Sequence, residues 1–405
     1  MKKQLRIYLA VSSLIVLAGC SASQKKPQNL KKLSWKQIKK RARGQTVNWM
    51  MWEGSPEVNA YINNYVVPQV KKRYDIDLKI SSGQGNQIVS TLMTEQQADK
   101  KTSDIDLVWI NGPTFYQLRQ IHALYGPFVR KLPNAKYVNF NNPFIKYDFQ
   151  QKVNGMEAPW GITQWVMIYN SEKVKHPPRN MQQLANYVKN HPGTFTIPNE
   201  FTGMTFLKNL MIEMTGKKKL HGKFNKQIYK KYSSRLWKYL NGIKQYFWKQ
   251  GQTFPSTMAA MNQMFASGEL NFSMTFGANS IDRKIADGTY PKASRAYLLQ
   301  PGTIQNTNYI GIVKNSAHKA ADMVVANFLL SPAAQYQKMR PGKMGSRTVL
   351  AVKKLPQKWQ KKFYRIPESN HAPPRRILEN NALQELRPQY MTHLYEDFRT
   401  NVIQQ

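Results

Sequence analysis

Short apolar runs separated by longer amphipathic stretches define the chain from residue 44 onward. The apolar runs predict strands at 46–51, 78–81 and 105–110. Between them, apolar residues recur at helical spacing from Pro56 and again over 87–99, so helices are predicted there. Repeated strand–helix–strand crossovers build a parallel sheet with helices on both faces. This part of the chain is therefore predicted to have an α/β fold.

The same alternation continues in the second part of the chain. Its pattern predicts strands at 164–169, 194–197 and 271–275, a return strand at 309–313, and long helices between them. A chain of 405 residues exceeds one ordinary core and suits two domains of ~100–200 residues. Two lobes are therefore predicted, each a mainly parallel sheet flanked by helices, with the first crossing near Trp160.

The N-terminus has the layout of an export signal. Basic residues precede an apolar run at 7–18, which is shorter than the ~20 residues that a membrane span needs. The tetrad that ends in Cys20 resembles the lipobox of bacterial lipoproteins, which implies cleavage before Cys20 and lipidation of its sulfur. Residues 1–19 are therefore predicted to be a signal peptide, and 20–43 a lipidated tether with a short helix. The alternative is an ordinary secretory signal with an incidental cysteine.

Basic residues exceed acidic ones along nearly the whole chain. The 60 Lys and Arg against 22 Asp and Glu give a formal net charge of +38. A scattered excess favours attraction to anionic surfaces over a shaped nucleic-acid groove, and nucleic acid is not an expected partner behind an export signal. One alternative stays open, namely a lipid-anchored basic protein that binds the cell envelope or has a structural role without a small ligand.

The sequence lacks the common signatures of catalysis and metal binding. It contains no G-x-S-x-G, H-E-x-x-H, G-x-x-x-x-G-K-[ST] or paired C-x-x-C motif, and its seven histidines are dispersed. The single cysteine is assigned to lipid. We therefore expect no enzyme activity, no catalytic residues, no bound metal and no cofactor.

Candidate binding residues follow the predicted strands. In open parallel sheets, ligands lie beyond the carboxyl ends of the strands, and three loops there are rich in glycine, amides or aromatics. A helix start near residue 202 adds free backbone N–H groups. The candidates from the first lobe are Trp52, Glu53, Gln84, Trp109, Asn111 and Gly112. The candidates from the second are Trp160, Gln164, Phe201, Thr202, Phe276 and Asn279.

This candidate set suits more than one ligand charge. Aromatic side chains with a few amides and one carboxylate fit a flat or cationic ligand held by stacking and cation–π attraction. For a cation, such as a thiamine-like molecule or a polyamine, Glu53 would neutralise the charge. For an anion, the amides at Thr202 and Gly203 would hold it. The pattern leaves both open.

Several ordered blocks of sequence add a family resemblance. The run D-I-D-L-V-W-I-N-G at 104–112, the block L-Y-G-P-F at 124–128 and the block E-A-P-W-G at 157–161 resemble the YnjB-type solute-binding proteins. The resemblance implies a type II periplasmic-binding-protein fold with two hinge crossings, an ABC permease and ATPase as partners, a small solute as ligand, and a monomer. We place the lobes at 44–160, 161–305 and, after the return crossing, 306–405. The chain is expected in the periplasm or at the cell surface, anchored to a membrane as a lipoprotein.

Overall fold

The structure, a computed structural model, describes residues 30–405 except for the side chains of Lys31 and Asn279. The predicted signal peptide, Cys20 and the beginning of the tether lie outside the described residues. The first described element is a 3-10 turn, Leu30–Lys32. Within residues 30–405, no helix combines the length and the apolar character that a membrane crossing requires.

Strands and helices alternate through most of the described residues. The strands are β1 (Thr46–Met51), β2 (Asp77–Ser82), β3 (Leu107–Ile110), β4 (Leu124–Tyr125), β5 (Tyr147–Asp148), β6 (Gln151–Lys152), β7 (Glu157–Gln164), β8 (Val166–Asn170), β9 (Phe272–Thr275), β10 (Ser294–Tyr297), β11 (Thr303–Val313) and β12 (Ala382–Gln384). The α-helices are α1 (Trp35–Ala42), α2 (Pro56–Tyr61), α3 (Val67–Tyr74), α4 (Gly85–Gln97), α5 (Gly112–Gln120), α6 (Pro143–Lys146), α7 (Met181–Asn190), α8 (Phe201–Thr215), α9 (Lys226–Ile243), α10 (Met258–Ala266), α11 (Ile281–Ala286), α12 (Lys319–Leu329), α13 (Pro332–Met339), α14 (Gln357–Tyr364), α15 (Arg375–Asn380) and α16 (Pro388–Phe398).

A larger sheet contains the strands predicted in the first part of the chain. Its order is β12-β11-β3-β1-β2, and β4 and β7 also pair with β11. β1 lies parallel to both β2 and β3, as helical crossovers require. β11 runs antiparallel to β3 and to β7, and β12 runs parallel to β11. The α/β prediction is confirmed for this sheet, with an antiparallel return strand inserted into it.

A smaller sheet of three strands has the order β10-β8-β9. Both of its pairings are antiparallel, so the expectation of a mainly parallel second sheet is wrong. The hydrophobic period identifies a strand, but it does not give the direction of the strand. That direction depends on how the long helical segment between β8 and β9 returns to the sheet, which no local pattern records.

Two strand predictions in the second part of the chain need correction. The strand expected at 164–169 is two strands, because β7 ends at Gln164 and β8 begins at Val166 in the other sheet. The segment expected as a strand at 194–197 pairs with no strand in the part of the chain that the structure describes. Its buried backbone is satisfied singly instead, since the carbonyls of Thr194 and Phe195 accept from Asn271 and Trp248. The apolar run at 194–197 therefore indicates a buried segment but not a strand.

Candidate functional site

Two long strands, β7 and β11, run from the larger sheet toward the smaller one and pair with each other. On β11, Gln305 pairs with Gln164 of β7 and with Gln384 of β12, while Tyr309 pairs with Pro159 of β7 and with Ile110 of β3. A strand has two edges, so β7 occupies one edge of β11, and β3 and β12 share the other. Between β3 and β12, no strand of the described residues 30–405 pairs with that second edge of β11.

A row of tryptophans extends from the surface to the core beside these strands. Trp52, which is 39 % exposed, meets Trp109 at 6.3 Å between ring centroids, and Trp109 meets Trp160 edge-on at 4.8 Å. Trp160 in turn contacts Trp49 at 6.1 Å. Trp109 and Trp160 are buried. The structure therefore brings three predicted residues together, and only Trp52 has a ring that a solute can cover.

The loops after β2 and β3 also converge. Gly85 lies so close to Thr114 that a Cβ on the glycine would stand 2.0 Å from its Oγ1. The same Oγ1 donates to Asn111 Oδ1 at 3.4 Å. Gln84 is exposed, and Glu53 is half-buried with no hydrogen bond or ion pair from its carboxylate among residues 30–405. These groups are free to meet a ligand.

A second aromatic group stands at the end of β3. Phe149 lies against Gly112, where an added Cβ would stand 1.8 Å from the ring, so only glycine fits at that position. Phe149 contacts Phe201 at 6.5 Å, and Phe201 contacts Phe276 at 5.5 Å between centroids. Gly112, Phe201 and Phe276 are thus joined through Phe149, a residue that the sequence did not indicate.

Phe149 and Gln150 form the two-residue turn between β5 and β6. Both have positive φ, 42° and 59°, which is the backbone of a turn that usually takes Asn-Gly. A bulky residue in this region costs ~1–2 kcal/mol and persists where its surroundings fix it. Gln150 supplies that fixation, since its Nε2 donates to the Glu385 carbonyl at 3.0 Å and its Oε1 accepts from the Gly222 amide at 2.6 Å.

The predicted residue Gln164 belongs to a buried polar network at the β7–β11 pair. Its Nε2 donates to Thr303 Oγ1 at 3.2 Å, and its Oε1 accepts from the Arg347 guanidinium at 3.4 Å. Arg347 also donates to Gln305, and burial lowers the pKa of Arg347. Because both ends of the Gln164 amide are occupied within the protein, this residue ties the crossing strands together.

The start of α8 is not a free anion site. The helix begins one residue before the predicted Thr202, and the Glu200 carboxylate accepts from the amides of Thr202 at 2.6 Å and Gly203 at 3.3 Å. The Thr202 carbonyl accepts from Trp165 Nε1 at 3.0 Å. An anion would meet a carboxylate there. Asn279 lies in the 3-10 turn Ala278–Ser280, and its side chain is outside the described residues.

A buried charged cluster adjoins the second aromatic group. Lys208 of α8 pairs with Glu385 at 2.7 Å, and its Nζ lies 5.0 Å from the Phe149 ring and 5.5 Å from the Phe201 ring. Burial lowers the pKa of Lys208, partly offset by Glu385. Burial, followed by the charge of Glu385, raises the pKa of Asp148 well above its ordinary value. The cluster is therefore short of positive charge.

Some of these missed residues carried a signal and others did not. Lys208 lies between apolar residues of α8, after Phe206 and Leu207 and before Leu210, and a lysine is almost never fully buried unless it is paired. That position could have indicated a buried ion pair. The turn at Phe149 and Gln150 contains neither glycine nor asparagine, so the usual hairpin signal is absent.

Comparison with known proteins places the chain in a family. The model of the bacterial extracellular solute-binding proteins matches residues 66–363. Protein YnjB of Escherichia coli (strain K12) is 35 % identical over 327 residues, which cover 80 % of this chain and 84 % of that protein.

Solved structures match the fold at low sequence identity. The TpPotD lipoprotein of Treponema pallidum superposes with a TM-score of 0.62 at 14 % identity, covering 89 % of this chain and 100 % of that one. The spermidine/putrescine ABC transporter substrate-binding protein PotD of Streptococcus pneumoniae gives a TM-score of 0.62 at 12 % identity, covering 88 % and 99 %. The fold is that of the type II periplasmic binding proteins, as the sequence resemblance implied.

Proposed function

The chain belongs to the family of bacterial extracellular solute-binding proteins of ABC transporters, and from that premise we propose that it captures a small solute by closing two lobes around it. The lobes are those assigned from the sequence, 44–160 with 306–405, and 161–305. Closure takes place about the two crossings near Trp160 and Gln305. The closed form then presents the solute to a membrane permease and its ATPase.

One observation carries this proposal. Aromatic side chains from both proposed lobes lie near the paired strands β7 and β11. They are the row from Trp52 to Trp160 and the group of Phe149, Phe201 and Phe276. Aromatic surfaces with a few amides and a free carboxylate are typical of sites for small organic solutes. A thiamine-like molecule or a polyamine suits them better than an anion, because Glu200 already occupies the amides at the start of α8.

The rest of the assignment follows from the N-terminal sequence. We propose a lipoprotein anchored through Cys20, with residues 1–19 removed, in the periplasm or at the cell surface. The protein acts as a monomer and performs no catalysis. Its site is built from the twelve candidates from the sequence. Trp52 is the exposed aromatic surface and Glu53 the free carboxylate beside it, whereas the buried Trp109, Trp160 and Gln164 support the site from behind.

A thermal-shift screen of the purified lipid-free protein tests the proposal. The solutes are thiamine and its phosphates, polyamines, amino acids, sugars and oxyanions. A solute at a hundredfold excess over its dissociation constant stabilises the folded state by ~2.7 kcal/mol, which raises the Tm by a few degrees. We expect such a rise with one solute class. No rise with any solute would contradict the proposal.

Substitution of Trp52 by alanine should lower the affinity for the solute found in that screen by about tenfold, or ~1.4 kcal/mol, because one stacking surface is lost. The Tm of the free protein should change little, since the ring is 39 % exposed. Tyr364→Ala is the matched control, because Tyr364 is 61 % exposed and belongs to α14, away from the candidate residues. Equal affinities of both variants, measured by calorimetry, would remove Trp52 from the site.

A further inference from the structure

A pocket lies beside the edge of β11 between β3 and β12. We call it the hinge pocket. The loop and hairpin at 143–150 form one wall, and β11 and the end of β12 form the others. The residues that line it are Pro143, Phe144, Tyr147, Asp148, Phe149, Gln150, Gln305, Asn306, Thr307, Gln384 and Glu385. It adjoins the Phe149 group and the crossing strands, where the proposed closure takes place.

Three acceptor atoms on the walls of the hinge pocket have no hydrogen-bond partner among residues 30–405. They are Asp148 Oδ2, Glu385 Oε2 and Asn306 Oδ1. Each belongs to a residue that is at least nine-tenths buried. Buried polar atoms in native proteins are nearly always hydrogen-bonded to protein or to water, so three unpaired acceptors on the lining of one pocket can take a donor from a water or from a ligand.

The balance of charge in the pocket points the same way. Asp148 and Glu385 face one directly paired cation, Lys208, which contacts Glu385 through Oε1. Behind Asp148, Glu157 is fully buried, and within the described part of the chain neither of its carboxylate oxygens has a hydrogen-bond partner. Arg119 is the cation that acts on Glu157. On the β11 side, Arg347 is committed to Gln305 and Glu379. Added positive charge is therefore favoured at Asp148.

We propose that the hinge pocket receives the protonated amine of the solute, with Asp148, Glu385 and Asn306 accepting its hydrogen bonds and the Phe149 ring beside it. This inference rests on the proposed function. It extends the proposed site to the hinge pocket, which contains none of the twelve candidates but adjoins Gly112 and Phe201 through Phe149. The unpaired groups are all acceptors, so the ligand must bring N–H donors. A protonated amine fits, whereas a quaternary ammonium does not. The ring of Phe149 already accommodates a cation, since Lys208 Nζ lies 5.0 Å from it.

A metal ion is the other cation to consider. Among residues 30–405, no three His, Cys, Asp or Glu side chains converge as a metal site requires. The pocket instead offers separate acceptors on three segments, near residues 148, 306 and 385. One ammonium group carries three N–H donors, as many as the unpaired acceptors of the pocket.

Binding of an amine should release protons. Burial, together with the charge of Glu385, raises the pKa of Asp148, and burial, together with Asp148, raises the pKa of Glu157 against the pull of Arg119. These carboxyl groups therefore hold protons to higher pH in the empty pocket than they do in solvent. A cation favours the ionised form, so protons leave on binding and affinity rises with pH.

Calorimetry with matched probes tests the inference. The amine probes are methylamine and 1,4-diaminobutane, and 1,4-butanediol is the uncharged match for the diamine. Thiamine is the contrasting cation, because its charged thiazolium nitrogen carries no N–H donor. We expect one of the amines to bind with proton release, measured as a difference in enthalpy between two buffers, and the diol not to bind. Asp148→Asn should lower the affinity for the amine by roughly thirtyfold or more.

Control variants keep the result interpretable. Asp322→Asn changes another fully buried carboxyl group whose pKa burial raises, and it lies at α12, away from the pocket, so amine affinity should not change. Asn306→Ala removes an acceptor without changing charge, and it serves as the second variant if Asp148→Asn does not fold. Undiminished amine affinity in Asp148→Asn or Asn306→Ala would overturn the inference.

The remaining outcomes separate this inference from the proposed function. If every amine fails to bind while another solute of the thermal-shift screen binds, the hinge pocket is not an amine site, and solute capture stands. If no solute of any class binds, the proposed function fails, and the inference fails with it.

Discussion

Lys208→Met should lower the free energy of unfolding by about 3–5 kcal/mol, the usual cost of removing one partner of a buried ion pair. Methionine preserves much of the length and packing of the side chain, but it leaves Glu385 without its cation 2.7 Å away. The loss is aggravated because Asp148 and Glu157 are also buried nearby, and three of their carboxylate oxygens have no hydrogen-bond partner in the region from residue 30 to 405. A cluster with one direct cation has no substitute for it.

Urea unfolding of four proteins measures this effect: wild type, Lys208→Met, Glu385→Gln and the double variant. Since the two side chains contact each other, the double-mutant cycle should give a coupling energy of about 2–3 kcal/mol. The double variant should recover part of the loss, because neither unpaired charge remains. A loss below ~1 kcal/mol in Lys208→Met, with no coupling, would show that the pair contributes no more than a surface ion pair does.

Gly203→Ala should lower the free energy of unfolding by about 1–3 kcal/mol. A Cβ at this position would stand 1.8 Å from the Pro198 carbonyl oxygen and 2.9 Å from its carbonyl carbon. Backbone atoms cannot move aside as a flexible side chain can. The start of α8 would therefore shift, and with it Phe201 and the cap made by Glu200.

Gly242→Ala is the matched control. Gly242 lies in α9, and a Cβ there would meet nothing within 4 Å. Alanine favours helix more than glycine does, so this change should raise the free energy of unfolding by up to ~1 kcal/mol and raise the Tm slightly. Thermal unfolding of both variants should show a lower Tm than wild type for Gly203→Ala and a slightly higher Tm for Gly242→Ala. Equal Tm values for the two variants would show that the start of α8 accommodates a Cβ at position 203 without loss of stability.

The sequence was sufficient where local pattern and packing agree. β1 was predicted at its observed bounds, because its alternating residues bury one face, and the helix after it was predicted from Ser55 and Pro56. It was insufficient where the answer depended on distant partners. The apolar segment at 194–197 became buried backbone without a ladder, and the second sheet is antiparallel because of the route of a connection about a hundred residues long.

The candidate site divides along the same line. Trp52, Trp109 and Trp160 contact one another in a row. Trp109 lies within β3 and Trp160 within β7, and both are buried, so the rule that ligands lie beyond strand ends located only Trp52 at the surface. The hinge pocket was not predictable, because its walls come from three segments far apart in the chain: 143–150, 305–307 and 384–385. No spacing in the sequence links Asp148 to Glu385. Only the pairing of β11 with β12 and the hairpin turn at Phe149 brings them together.

The most direct test of solute capture is the change in radius of gyration on binding, measured by small-angle X-ray scattering of the lipid-free protein. With the stabilising solute at saturation, we predict a smaller radius, because closure draws the two lobes together, and an unchanged radius with a solute that gives no thermal shift. A radius that stays constant with every solute, together with salt-sensitive binding to anionic vesicles or polymers, would contradict capture by closure. It would instead support the basic envelope-binding role that the charge of +38 leaves open.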